Sequence, residues 1–200
     1  MHDTHTQSEL QVCLDRVAAL HHHLCPRQVL GVRTGMYAAE LFDLPLPQAD
    51  KRLFVLVETD GCFADGVSVA TGCWLGRRTL RLIDYGKVAA TLVDTVTGKV
   101  LRVSPQLSAR NMALQYAPGA SDSWHAQLLA YQVMPTPELL RVEEVRLTVS
   151  LEEIISQPGL RVACEECGEE IMNAREVLVE GRALCRRCSG RDSYYEGCSI

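Results

Sequence analysis

Apolar residues recur at spacings of three and four through Leu10, Cys13, Leu14, Val17, Leu20 and Leu24, which predicts an amphipathic helix over 8–24 with Ser8 as its N-cap. A second helix is predicted from Pro26 to about Phe42, carrying Val29, Leu30, Val32, Met36 and Leu41 and closed by Pro45 and Pro47. The unbroken apolar run Leu53 to Val57 is too short for a core helix and reads as a buried strand. Residues 64–74 read as a short helix in spite of Gly66 and Gly72, which lower its propensity. Strands are predicted over 80–84, 88–96 and 99–103, the last two joined by a Thr97-Gly98 hairpin. Helices follow over 107–116 and 123–134, then an alternating strand over 140–150, a short helix over 151–156, and a break at Pro158-Gly159. Helices and strands are intermingled and one pairing is antiparallel. The expected fold is therefore α+β, a mixed or antiparallel sheet with helices packed on it, rather than a doubly wound parallel sheet.

The break divides the chain into a domain over 1–158, long enough for a proper core, and a module over 159–200, too short to stand without a staple. That staple is written in the cysteines. Cys164-Glu-Glu-Cys167 and Cys185-Arg-Arg-Cys188 are separated by 17 residues, within the usual window for a four-cysteine zinc site. Each CxxC turns tightly enough to aim two sulfurs at one point. Between them, 176–184 reads as a hairpin turning at Glu180-Gly181, which returns the second pair to the first. The expected module is a small zinc ribbon holding a structural zinc; a rubredoxin-like iron site uses the same ligands.

Composition narrows the function classes. The chain has 200 residues, 47% hydrophobic and 22% charged, with a net charge of −5. These are globular values. The acidic balance, shared by 160–200, argues against a nucleic-acid partner. No apolar run approaches the length of a membrane helix, and Met1 to His5 is polar without a signal pattern, so a cytoplasmic protein with no membrane partner is expected. Nine cysteines in such a compartment point to metal or chemistry rather than to disulfides.

Half of the six histidines fall at His21, His22 and His23, just before Cys25-Pro26. If the first helix persists, His21 and Cys25 share a face. If the chain extends before proline, His23 and Cys25 converge. Either geometry offers imidazole and thiolate for a second divalent metal, zinc or iron; the competing reading is a histidine-rich helix cap. Cys62, placed at the tip of the 53–57 strand, is the further candidate ligand. Cys73 and Cys13 read as buried small hydrophobes, and Cys198 has no assigned role. Arg77, Arg78, Arg81 and Lys87 form a local basic cluster, either a solvated face or, through Arg77, Arg78 and Lys87, an anion pocket for a cofactor. Tyr194, Tyr195 and the ribbon's apolar strand give the module a face it cannot bury alone, so a homo-oligomer is expected.

The stretch Leu20 to Gly31, LHHHLCPRQVLG, resembles the FmdE signature F-H-G-H-x-C-P-G-x-x-x-G. The family's later blocks are echoed by Cys62-Phe-Ala-Asp65, Thr71-Gly72-Cys73-Trp-Leu-Gly76 and Asp84-Tyr85-Gly86-Lys87. The resemblance covers about 8–155, and the appended ribbon, similar to the four-cysteine finger of the DksA/TraR type, is frequent in that family. It implies an α+β fold and a metal held around His21, His23 and Cys25, with Cys62 and Asp65 matching the second block. Asp65 then becomes the expected catalytic or ligand-orienting carboxylate. It also implies an association with one-carbon, molybdo- or tungstopterin redox metabolism, through a pterin-containing oxidoreductase subunit as partner. The chain departs from the pattern where His22 and Arg27 replace glycines and where Arg77-Arg78-Thr79 stands for Lys-Gly-Asn. Three functions follow: a metal protein with chemistry of its own, a non-catalytic accessory or metal-delivery subunit, and a regulator sensing metal or redox state.

Overall fold

A computed structural model describes residues 3–155, 157–191 and 193–196, and it divides them between two compact units, Met1–Thr148 and Val149–Ile200. The first unit begins with two helices, α1 (Asp3–His21) and α2 (Pro26–Phe42), and then the buried strand β1 (Leu53–Val57). Helix α3 (Cys62–Thr71) crosses over to β2 (Leu80–Leu82), which pairs parallel with β1 in the register Val55 opposite Leu80. The hairpin strands β3 (Ala90–Asp94) and β4 (Val100–Pro105) follow, then α4 (Ala109–Tyr116), α5 (Ser123–Val133), α6 (Thr136–Leu139) and β5 (Leu140–Glu144). The sheet order is β2-β1-β3-β4-β5, antiparallel at every pairing except β1–β2. This is the expected α+β fold with a mixed sheet.

The helices cover the sheet through one continuous core that includes Leu14, Val17, Val29, Val32, Val55, Phe63, Leu92 and Leu139, all buried. The closest approach is between α2 and α3. A methyl on Gly31 would lie 2.2 Å from the Phe63 carbonyl, and one on Gly66 would lie 2.4 Å from the Gln28 carbonyl. The two glycine Cα atoms thus face each other across the crossing, and the beginnings of both helices are brought together.

Several boundaries differ from the sequence expectation, each for a local reason. Helix α1 stops at His21 instead of Leu24 because His22 turns left-handed, at φ 58°. Helix α3 starts at Cys62 rather than at 64, so Cys62 opens a helix instead of tipping a strand. Gly61, at φ 68°, reverses the chain, and its carbonyl accepts the Asp65 N–H at 3.2 Å. The same helix ends at Thr71 because Gly72 caps it at φ 74°. Strand β2 is shorter than 80–84, since the Tyr85 and Lys87 N–H groups donate to the Glu58 carbonyl and draw the chain off the sheet. Asp94 ends β3 by accepting from the N–H groups of Val96 and Thr97, and Arg52 pairs with the same carboxylate at 2.9 Å. These contacts hold the Asp94 carboxyl well below its usual range, the Arg52 hydrogen bond foremost. Strand β5 ends at Glu144 rather than continuing to 150, and α6 was not foreseen.

The second unit holds α7 (Leu151–Ile154) and four short strands, β6 (Arg161–Ala163), β7 (Glu170–Met172), β8 (Val177–Val179) and β9 (Arg182–Leu184). They form two hairpins, β6–β7 and β8–β9. The second turns at Glu180-Gly181, both left-handed, as a tight two-residue hairpin requires. The buried core here is small: Cys164, Ile171 and Leu184 form one cluster, and Val177 is also buried. Cys198 lies outside the described residues. No helix of the described residues is long and apolar enough to cross a membrane.

Candidate metal centres

The ribbon gathers its cysteines. One sulfur from each of Cys164, Cys167, Cys185 and Cys188 lies within 4.8 Å of every other. Two CxxC knuckles produce this. The Cys185 N–H donates to the Cys164 sulfur at 3.3 Å, and the Cys188 N–H donates to the Cys185 sulfur at 3.4 Å. Backbone N–H groups, that of Cys167 foremost and then that of Cys185, pull the Cys164 thiol down to about 6, while hydrogen bonding to Cys185 pushes Cys188 up to about 12. Four thiols crowded this closely cannot all ionise unless a cation stands among them. Zinc with sulfur at about 2.3 Å places four sulfurs about 3.8 Å apart, close to what the knuckles present. The donor set and its spacing thus fit a tetrahedral metal such as zinc. Among the described residues this is the one place where three or more such donors converge so tightly.

The second candidate centre sits where three helix ends meet. His21 is the last residue of α1, Cys25 the N-cap of α2, and Cys62 the first residue of α3. Cys25 is extended, φ −129° and ψ 160°, as proline at the next position demands, so His21 and Cys25 do not share a helix face. The Gln28 side-chain carbonyl accepts the Cys25 N–H at 2.7 Å, and Gln28 itself is fully buried. This anchor escaped the sequence reading, although a glutamine three residues after an N-cap is the signal that would have found it.

The His21 Nε2–H donates to Asp65 Oδ2 at 2.6 Å, with both side chains about one-third exposed or less. Cys25 is a neighbour of Cys62. Burial raises the Cys62 thiol first, and the neighbouring Cys25 and the Asp65 carboxylate add to it. The four side chains thus comprise one hydrogen-bonded pair, His21 with Asp65, and two neighbouring thiols, Cys25 and Cys62, with Cys62 and Asp65 one turn apart on α3. His23 is exposed and donates from Nδ1 to the His21 carbonyl at 2.9 Å, which ties it to the helix end instead of to Cys25. Cys73 is buried, with its thiol donating to the Leu53 carbonyl at 3.3 Å, and Cys13 packs at the core's margin.

The basic cluster is spread over separate contacts. Arg77 donates to the carbonyls of Gln48, Gly72 and Ala49, so its guanidinium straps the 47–49 loop to the end of α3. Lys87 lies over the Tyr85 ring at 5.8 Å and Arg81 over Phe54 at 5.4 Å, while Arg78 occupies a left-handed turn. The sequence reading also missed the Glu58–Arg102 pair, a two-pronged contact at 2.6 and 2.8 Å that pins the end of β1 just before the Gly61 turn. Only the partner spacing across three strands could have revealed it.

Residues 20–179 match the family described as FmdE, molybdenum formylmethanofuran dehydrogenase operon. A probable S-adenosyl-L-methionine-binding protein of Archaeoglobus fulgidus is 30% identical over 215 aligned residues, which take in 96% of this chain and 56% of the relative. The chain thus spans little more than half the length of that curated relative. The crystal structure of a tungsten formylmethanofuran dehydrogenase FmdE-like protein from Syntrophus aciditrophicus shares the fold, with a TM-score of 0.59 over 93% of this chain and 95% of that one, at 20% identity.

Proposed function

This chain belongs to the FmdE family, and on that premise we propose that it is a metal protein with two centres, acting beside a pterin-containing oxidoreductase of one-carbon metabolism. In this reading the ribbon holds a structural zinc through Cys164, Cys167, Cys185 and Cys188. The main domain holds a second thiophilic divalent ion, zinc or iron, through Cys25, Cys62 and His21, with Asp65 as the carboxylate that orients His21 or exchanges a proton. The observation that carries the reading is the meeting of Cys25 with Cys62 at the starts of two helices, beside the His21–Asp65 pair. His23 stays a further candidate ligand: its Nδ1–H donates to the His21 carbonyl, which leaves Nε2 as the atom to offer a metal. Three protein donors would leave a four-coordinate ion one further position, the arrangement of a centre that handles a substrate.

The test is metal counting on untagged full-length protein. Two metals per chain are expected. Cys25→Ser and Cys185→Ser should each lose one, and His22→Ala should keep both. A Cys25→Ser chain that still carries two metals, or an equal loss in His22→Ala, overturns the main-domain centre and leaves a histidine-rich helix cap.

A second reading is favoured by the Archaeoglobus relative, named as a probable S-adenosyl-L-methionine-binding protein: this chain would then bind an adenosyl compound. Calorimetric titration with S-adenosyl-L-methionine decides it, since metal counts do not depend on that outcome.

A further inference from the structure

A cleft of about 420 Å³ opens between the C-terminal half of α1, the end of α3 and the 47–49 loop, and its walls include Arg16, Leu20, Gln48, Val69, Trp74 and Arg77. Its size falls in the range of small-molecule sites. Its chemistry is selective on three sides.

The first side is Gln48, 8% exposed, whose Oε1 is buried and has no hydrogen-bond partner among the described residues. The rest of the residue is committed. The side-chain NH2 donates to the Pro45 carbonyl at 2.6 Å, the backbone N–H donates to Thr71 at 2.8 Å, and the backbone carbonyl accepts from Arg77 at 3.2 Å. The amide orientation is fixed by that first bond, so the orphan is an acceptor awaiting an N–H or O–H donor. An unmade bond of this kind is costly in a folded protein. Gly72 makes the placement necessary: a methyl there would lie 2.6 Å from the Gln48 carbonyl, so the loop can sit against the helix end only over a glycine.

The second side is Trp74, half-buried, a flat surface for a planar ring. The third is charge. Arg16 and Arg77 both line the cleft and no carboxylate does, in a chain whose net charge is −5. Arg77 is occupied by carbonyls, whereas Arg16 is exposed and makes no ion pair or hydrogen bond among the described residues.

We infer that this cleft binds a planar nitrogen heterocycle bearing an amino group and joined to an anionic group, a nucleotide-like ligand. The ring stacks on Trp74, the amino group donates to Gln48 Oε1, and the anion pairs with Arg16. This stands apart from the metal-centre reading, since none of the cleft residues is a proposed ligand. Two arginines without a carboxylate also favour a phosphate-bearing ligand over a sulfonium such as S-adenosyl-L-methionine.

The experiment uses the full chain with Trp124→Phe, which leaves Trp74 as the only tryptophan. Its fluorescence is titrated with AMP and with purine riboside 5′-monophosphate, the same ligand without the amino group. Saturable quenching by AMP is expected below about 1 mM, with the amine-free analogue at least about tenfold weaker. Gln48→Leu should abolish that preference; its melting temperature reports the balance between the unpaired acceptor it removes and the Pro45 hydrogen bond it gives up. Arg16→Ala, on an exposed helix face, should weaken AMP about tenfold and leave the preference intact. Absence of saturable quenching by AMP, equal midpoints for the two ligands, or AMP binding indifferent to Arg16→Ala would each overturn the proposal. If Gln48→Leu fails to fold, the two-ligand comparison and Arg16→Ala still decide it.

Discussion

His22 and Arg78 are the residues where this chain departs most tellingly from its family's pattern. Both stand where the motif has glycine, and both are left-handed, at φ 58° and 61°. A side chain in that region costs about 1 kcal/mol or more against glycine. Both side chains are thus held in a conformation that glycine adopts without strain. His22→Gly should stabilise the protein by about 1 kcal/mol, read as a higher urea midpoint at unchanged slope, with the metal count unaltered. A lower midpoint would mean that the His22 ring makes a stabilising contact. The sequence made the substitution visible; the conformation that gives it meaning was not, because histidine signals no turn of its own. Likewise, His21, Cys25, Cys62 and Asp65 stood out as residue types, but their pairing into His21–Asp65 and Cys25–Cys62 depends on three helix ends converging, which no local spacing encodes.

Among the elements, the α2–α3 crossing decides where the site is. In the sequence, Gly66 reads only as a weakness in a short helix. In the structure it faces Gly31 with Cα atoms so close that either methyl would strike a backbone carbonyl. Backbone cannot swing aside as a side chain can, so the helices must separate to admit it. Gly66→Ala should therefore cost about 3 kcal/mol, a fall in melting temperature of about 5–10 °C, and should also lower metal retention by the main domain. Full retention of stability would show that the crossing has slack that these distances do not allow. The hydrophobic runs disclosed most elements because period and length are local properties. Where the prediction slipped, at the ends of α1, α3 and β2, single left-handed residues or long-range backbone bonds set the limit.

For the whole molecule, the α+β class and the antiparallel pairing were legible from the hairpin and the interleaved helices, whereas the parallel β1–β2 pair was not, since it arises from a crossover whose partner strand has three residues. The two units contrast in how they are held. One has an extensive apolar core, whereas the other has a small cluster built on Cys164, Ile171 and Leu184. In Cys185→Ser, limited proteolysis should cut first within 160–191. The urea transition followed by Trp74 and Trp124, both in the first unit, should move by less than about 1 kcal/mol. A ribbon that resists protease as the parent does would mean that its fold needs no metal.

The glycine crossing carries one more consequence, in time rather than in space. The ribbon's knuckles are short-range objects: each CxxC folds on itself, and a hairpin carries one to the other. Cys25 and Cys62 become neighbours only after a loop of about 35 residues, from Gly31 to Gly66, has closed with two helices already formed along it, and closure of that length is slow compared with a knuckle's turn. With zinc present, a refolding chain is therefore expected to gather the ribbon's cysteines before Cys25 meets Cys62, an order that pulsed thiol labelling during refolding would read.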